Sequence, residues 1–318
     1  MVSTRNMVEA SLLAGLAAAL FLAARFLPVA GIAFSFLCPA PLVVLGLRHS
    51  IRFATLGLIA ATAIVLMLSG PTGAAFFFLG FGVLGVGLGV LAGRCSRGVD
   101  VILYGILVSL GSKILLMVAA KALTGVDPFS MDPKEITEVV DRIFAFYGTF
   151  GASSDALSQA REQVMAALRL LPTIFPTILI MASALDCYLS YVVSAAVVRR
   201  TGGDMPSLPS FSEWRFPKSV LGALVVSLLL PFLGQDTEWG LFATKIAINL
   251  KMCIHVVFLL QGVSLLWFFL RRWSWKAPFG AIIIVMVVFI PLFSTVAVMA
   301  GAGDMWFDVR NRVGRGSA

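Results

Sequence analysis

Charge is scarce in this sequence, and the scarcity decides its class. Only 13% of the 318 residues are Asp, Glu, Lys or Arg, against 59% hydrophobic, and mean hydropathy stands at +0.98. A soluble globule carries about 25% charged residues; this chain instead reads as an all-α, polytopic transmembrane helical bundle. Histidine is nearly missing. His49 and His255 are the only two, which leaves no HExxH helix and no multi-histidine metal site. The four cysteines, Cys38, Cys95, Cys187 and Cys253, stand apart without a CxxC pair, so they read as small core hydrophobes and not as redox or metal ligands. No GxSxG or serine/lysine pair points to an intramembrane hydrolase. Gly105 to Lys113 has glycine, serine and lysine at the wrong spacing for a phosphate loop, inside an apolar run, so no ATP site follows. The net charge of +8 is scattered over short loops and forms no stripe, which excludes nucleic acid as a partner. No cofactor, no metal and no enzymatic activity are expected.

What is abundant is long apolar sequence. Window hydropathy, broken by Pro, Gly or charge, marks nine spans: 8–27, 30–47, 53–69, 73–92, 100–123, 170–198, 219–234, 241–270 and 278–302. Eight remain if the second, which holds Pro39 and Pro41, or the short seventh does not cross. The chain then divides into an N-terminal bundle (1–125), an extracytoplasmic helical hairpin (126–169), a C-terminal bundle (170–302) and a tail (303–318). Glu9 and the length of the first apolar run argue for a retained span and against a cleaved signal peptide.

Cations set the orientation. With Arg5 inside, the inward loops hold Arg48 and Arg52, Arg94 and Arg97, Arg199, Arg200, Arg215 and Lys218, then Arg271, Arg272 and Lys276. The outward loops are uncharged at Gly70 to Thr72, acidic at Asp236 and Glu238, and hold seven acids against four bases between Asp127 and Arg169. The expectation is a bacterial plasma (inner) membrane protein with its N-terminus in the cytoplasm. Nine spans put the C-terminus outside, although the tail carries Arg310, Arg312 and Arg315 beside Asp304 and Asp308.

Small residues recur at four-residue spacing. Ala10, Ala14 and Ala18 form one ridge on the first span, Gly15, Ala19 and Ala23 the next, and Gly85, Gly89 and Gly93 repeat the device. Such ridges let helices approach closely, either inside the bundle or as a docking face for a transmembrane partner subunit. In the aqueous segment, Asp132, Pro133 and Glu135 have the form of a helix start. Ile136, Val139, Val140, Ile143 and Tyr147 follow at helical spacing, as do Leu157, Ala160, Val164, Leu168 and Leu171 beyond Gly148 to Ser154. The loop from Arg199 to Lys218 ends in Phe211, Trp214, Arg215 and Phe216, a composition suited to an interfacial anchor.

Inside the apolar runs, three ionisable residues fall at a similar depth. Counting ~1.5 Å per residue from the cytoplasmic ends, Lys113 lies ~20 Å in, Asp186 ~18 Å and His255 ~22 Å. A charge at the bilayer centre costs roughly 2.5–3.5 kcal/mol even on lenient scales, so it must find a partner among the helices. Lys113 and Asp186 are expected to pair, fixing helix register or forming a ligand site, with Ser183 and Ser190 on the Asp186 side. On the eighth span Lys245, Asn249 and Cys253 follow one i, i+4 line and Lys251 and His255 another, while Gln261 needs a hydrogen-bond partner and Gly262 permits close packing. With Lys113, Lys251 and His255 against Asp186, an anionic or zwitterionic solute is favoured.

The order of spans, the hairpin, the segment Phe211-Ser212-Glu213-Trp214-Arg215-Phe216-Pro217, the Asn249 and Gln261-Gly262 pattern, and the tail Gly303-Asp304-Met305-Trp306-Phe307-Asp308-Val309-Arg310 together resemble the YybS-like family of bacterial integral membrane proteins. The resemblance covers nearly the whole chain and implies a membrane bundle without supplying a chemistry. More distantly, the alanine ridge is similar to the face by which S components of energy-coupling-factor transporters dock onto their transmembrane partner. Those components have about six spans, so none of their binding residues is carried over. The leading expectation is a membrane component of a transporter that binds a small solute. The alternatives are a non-transporting scaffold or assembly factor and, below both, an intramembrane enzyme.

Overall fold

A computed structural model describes residues 4–27, 31–125, 133–149, 153–232, 237–272 and 277–315, and among them every regular element is helical. The expected cap at Asp132, the centre of the turn after Gly148, Asp236 and Lys276 lie outside the described residues. The chain divides into two compact units, Met1–Pro172 with Ile178–Leu208, and Thr173–Thr177 with Pro209–Ala318. Among the described residues six helical stretches are long and apolar enough to cross a membrane: Asn6–Phe26, Gly31–Arg48, Ile51–Arg94, Gly98–Thr124, Leu157–Arg200 and Glu238–Arg272.

In the first unit, α1 (Thr4–Phe26) is followed by α2 (Gly31–Leu37) and α3 (Pro39–Arg48), which stack into one span across Cys38. Next comes α4 (Ile51–Ala75), continued by a π-helical stretch over Phe76–Gly82 and by α5 (Val83–Arg94). Gly70 turns this run back on itself with φ 74° and ψ −179°, a conformation open to glycine and favoured before Pro71. A Cβ on Gly82 would come 2.3 Å from Leu58 Cδ1, with Gly70 midway between, so the two arms are the third and fourth expected spans, packed antiparallel.

The alanine ridge is used up internally. Ala10, Ala14 and Ala18 are 7%, 3% and 1% exposed and pack with Leu42, Leu45, Leu58 and Phe77. Of the two readings of this ridge, packing inside the bundle is the one seen for these three residues, where the short α2 and α3 lie against a flat wall. Gly89 plays the same part between α3 and α5, where a Cβ would fall 2.2 Å from Val43 O.

The remaining helices of the first unit are α6 (Gly98–Thr124), α7 (Pro133–Thr149) and most of α8 (Ser154–Arg200). The expected second arm of the hairpin and the sixth span are one helix of 47 residues, because Pro172 and Pro176 are tolerated inside it and no other breaker intervenes. Arg161 Nε donates to Asp141 Oδ1 at 2.7 Å and ties α7 to the first turns of α8. Of α7's apolar face Val140 is buried, while Val139, Ile143 and Tyr147 are exposed.

The second unit contains α9 (Ser219–Leu229), α10 (Glu238–Arg272), α11 (Ala277–Phe289), α12 (Pro291–Phe307) and α13 (Val309–Arg315). The expected ninth span, 278–302, is not a single helix. It breaks at Ile290 (φ −97°, ψ 115°), since Pro291 has no N–H and disfavours helical backbone just before it. A Cβ on Gly262 would lie 1.9 Å from Ala297 O, and one on Gly301 2.0 Å from Phe258 O. Each Cβ tilts toward its own helix N-terminus, so this reciprocal four-residue offset means that α10 and α12 run in the same direction. Between them α11, with Gly280 against Trp267, carries the chain back from the end of α10.

The hairpin places the tail at the end of the unit that holds Arg215 and Arg271. Arg215 Nη1 lies 3.1 Å from Asp308 Oδ1, and the Arg310 guanidinium sits 6.0 Å from the centroid of the Phe268 ring. The tail expected on the opposite side from these cations is thus beside them.

At this crossing no side chain can be added without moving backbone. Gly301→Val should lower the melting temperature by the equivalent of about 3 kcal/mol, the upper end for overpacking. Gly303→Ala, where a Cβ meets nothing within 4 Å, should leave it within about 0.5 kcal/mol of the parent by thermal unfolding in detergent.

Candidate functional site

Ser109 and Lys113 lie four residues apart on α6 and so share a face. Glycine brings α8 against that helix: a Cβ on Gly105 would fall 2.6 Å from Cys187 Sγ, and Cys187 Sγ lies 3.6 Å from Ile102 O. Asp186 is thereby carried alongside. Lys113 Nζ donates to Asp186 Oδ2 at 2.5 Å and to Ser109 Oγ at 2.7 Å, and Ser109 Oγ donates to the same carboxylate oxygen at 3.3 Å. Ser109 is buried, whereas the Lys113 and Asp186 side chains keep 21% and 29% of their surface. The ion pair is closed on one side by helix and open on the other.

One turn further along α6, the Ser112 hydroxyl donates to Leu79 O, in the π-helical stretch. Such stretches loosen the regular ladder, and Ser112 occupies the carbonyl presented there. Ser183 is buried on the Asp186 side of α8 and donates to Leu179 O at 2.7 Å; Ser190 is buried below it. The polar face is therefore a short stripe centred on one carboxylate and one ammonium of net charge zero.

Ser109 joins Lys113 and Asp186 as the third member of the cluster. His255 and Lys251 belong to the second unit, where both stand exposed on α10. Asn249 and Gln261 are engaged in the second unit in different ways. Asn249 binds the α8 backbone at Thr173 and Thr177. Gln261, 2% exposed, donates from Nε2 to Asp304 Oδ2 at 2.6 Å and accepts the Phe216 N–H at 3.1 Å.

Around Gln261 lies a buried ion pair that sequence reasoning missed. Arg310 Nε lies 3.1 Å from Asp304 Oδ2, with both side chains almost wholly enclosed, and its guanidinium also donates to Ser212 O at 2.6 Å and Gln261 O at 3.3 Å. Burial pushes the Arg310 guanidinium down from its ordinary value while Asp304 pulls it back up, and it stays charged. Among the described residues Asp304 Oδ1 has no hydrogen-bond partner. The available signal was the pairing of Asp304 and Arg310 around the turn at Asp308, which counting spans had assigned to the outside. This knot fastens the segment 211–216 and the tail to α10, and it reads as structural, since its charges are closed on one another.

Apolar helices of spanning length, glycine-mediated crossings and intramembrane polar groups that close on each other define a polytopic helical membrane protein. The chain belongs to the family described as Predicted membrane protein (DUF2232), which matches residues 15–305. It is similar to the protein named Uncharacterized protein YybS of Bacillus subtilis (strain 168), 24% identical over 316 residues, covering 98% of this chain and 100% of that one. No solved structure matches.

Two consequences are measurable. Lys113→Met and Asp186→Leu should each destabilise the protein, and the double variant should be less destabilised than their sum, with a coupling of about 1–3 kcal/mol by thermal unfolding. Arg310→Met leaves Asp304 buried without a cation and should cost about 3–5 kcal/mol, partly recovered by Asp304→Leu in the same chain.

Proposed function

We propose that the protein binds a small polar solute at Lys113 and Asp186 and serves as the membrane component of a transporter in a bacterial plasma membrane. The observation that carries this reading is the ion pair itself, held within a spanning bundle yet a fifth to a third exposed. A pair whose only task was to fix register needs no open side, whereas an open side leaves its contacts within reach of an incoming molecule and spares part of the desolvation cost of full enclosure. Intramembrane ionisable residues that remain accessible mark solute or proton paths.

The charge balance narrows the solute. A lone anion entering at Lys113 would strip Asp186 of its counterion, and a lone cation would do the same to Lys113. A zwitterion or an uncharged hydrogen-bonding molecule satisfies both groups together. Lys251 and His255 belong to the second unit, so the balance is drawn for Lys113 and Asp186 by themselves. The reading is of a binding protein and not of an enzyme, since the pair offers no second acid and no activated nucleophile.

For orientation, Arg48, Arg94 and Arg97, and Arg199 and Arg200 follow the second, fourth and sixth expected spans, which supports an N-terminus in the cytoplasm. The same rule, with the returned hairpin of α11 and α12, supports a cytoplasmic tail.

Native mass spectrometry of the protein purified in mild detergent should reveal a copurifying solute. Adding that solute at a hundred times its Kd should stabilise the protein by about 2.7 kcal/mol. The gain should vanish in Lys113→Met and Asp186→Asn. Isolation of a stoichiometric protein partner with no solute, together with full cellular function of Asp186→Asn, would point to a scaffold instead.

A further inference from the structure

Pro172 and Pro176 stand one turn apart in α8, and neither has an N–H to give. The carbonyls of Leu168 and Pro172, which those N–H groups would have bonded, lose their helical donors. The next bond of the ladder, from Thr177 N–H to Thr173 C=O, has both its members engaged from another helix. Asn249 Oδ1 accepts the Thr177 N–H at 3.0 Å, and Asn249 Nδ2 donates to Thr173 O at 2.7 Å. The Thr177 hydroxyl adds contacts of 2.8 Å to Asn249 Oδ1 and 3.0 Å to Asn249 O, while Nδ2 also reaches Lys245 O at 2.8 Å. Every donor and acceptor of the amide is used, so Asn249 has nothing left for a ligand. Its role is mechanical.

Thr173–Thr177 is also the stretch of α8 that groups with Asn249 in the second compact unit, while the residues on either side of it group with the first. A helix weakened at two consecutive turns and gripped there by a side-chain amide is the form that a kink or pivot takes. We propose that residues 172–177 are a hinge in α8, latched by Asn249, about which the arm of α8 bearing the α7 hairpin swings. With the amide in place both of these backbone groups are held from a second helix. When Asn249 lets go, both groups fall back on the helix's own ladder, beside the two carbonyls that the prolines leave without donors. The latch thus has two discrete states. The inference is independent of whether a solute occupies Lys113 and Asp186.

Cys253 supplies the test, because its Sγ lies 3.9 Å from Thr177 Oγ1. Thr177→Cys should form a disulfide with Cys253 under copper phenanthroline in lipid nanodiscs. Amide hydrogen exchange over residues 168–180 should then be slower in the oxidised than in the reduced protein. Asn249→Ala, with the latch removed, should exchange about tenfold faster over that segment and at the parental rate over 190–200. Adding Pro176→Ala restores a helical N–H and should return the rate toward the parent, which a general loss of packing would not allow. Equal exchange in Asn249→Ala and the parent, or no rescue by Pro176→Ala, would overturn the hinge. If Asn249→Ala does not fold, the cross-link decides. Failure of the disulfide to form, or exchange indifferent to it, would overturn the proposal equally.

Discussion

Polar groups carried into an apolar bundle must close on one another, and the architecture follows from how each closure is made. Water is not there to take an orphaned donor, so each buried group costs several kcal/mol until it is paired. Three closures organise the protein. Lys113 and Asp186 join α6 to α8, Asn249 joins α10 to the backbone of α8, and Gln261, Asp304 and Arg310 fasten the tail and the segment 211–216 to α10. Each links segments distant in sequence, so each fixes register that apolar packing alone would leave free to slide.

Between these points the helices are drawn together by the absence of side chains. Lipid tails are as apolar as leucine, so hydrophobicity gives little reason for one helix to prefer another. Close backbone approach does, and it is available only at Gly or Ala. Gly89 against Val43, Gly105 against Cys187 and Leu88, and Gly262 with Gly301 against Ala297 and Phe258 are such places. Two of them sit beside a polar closure: Gly105 brings α8 near enough for Asp186 to reach Lys113, and Gly262 sets α12 where Asp304 reaches Gln261.

Much of this was legible in the sequence. A lysine and an aspartate within apolar runs are rare enough to be noticed, and depth along a helix can be counted at a fixed rise, so their pairing could be foreseen. The second unit was harder. Hydropathy averages over a window and slides across Pro291, so two half-length helices look like one span. The prolines at 172 and 176 were visible, but nothing in the sequence shows that the amide of Asn249, seventy residues later, is aimed at the backbone they weaken. For the alanine ridge both outcomes were open, and packing against the short α2 and α3 settled the matter, since spacing alone does not show which neighbour fills a groove.

The three closures differ in what disturbing them would expose. Around Gln261 the charges are enclosed, so opening the knot exposes two ions at once and is costly. At Asn249 the groups are neutral and their alternative partners lie within the same helix, which makes release comparatively cheap. At Lys113 and Asp186 the groups are charged but already partly open, so an incoming molecule can replace each contact without a vacant intermediate. An enclosed ion pair, a neutral amide clasp and a partly open ion pair are therefore separated along the chain, and each answers the same demand of the apolar medium with a different degree of enclosure.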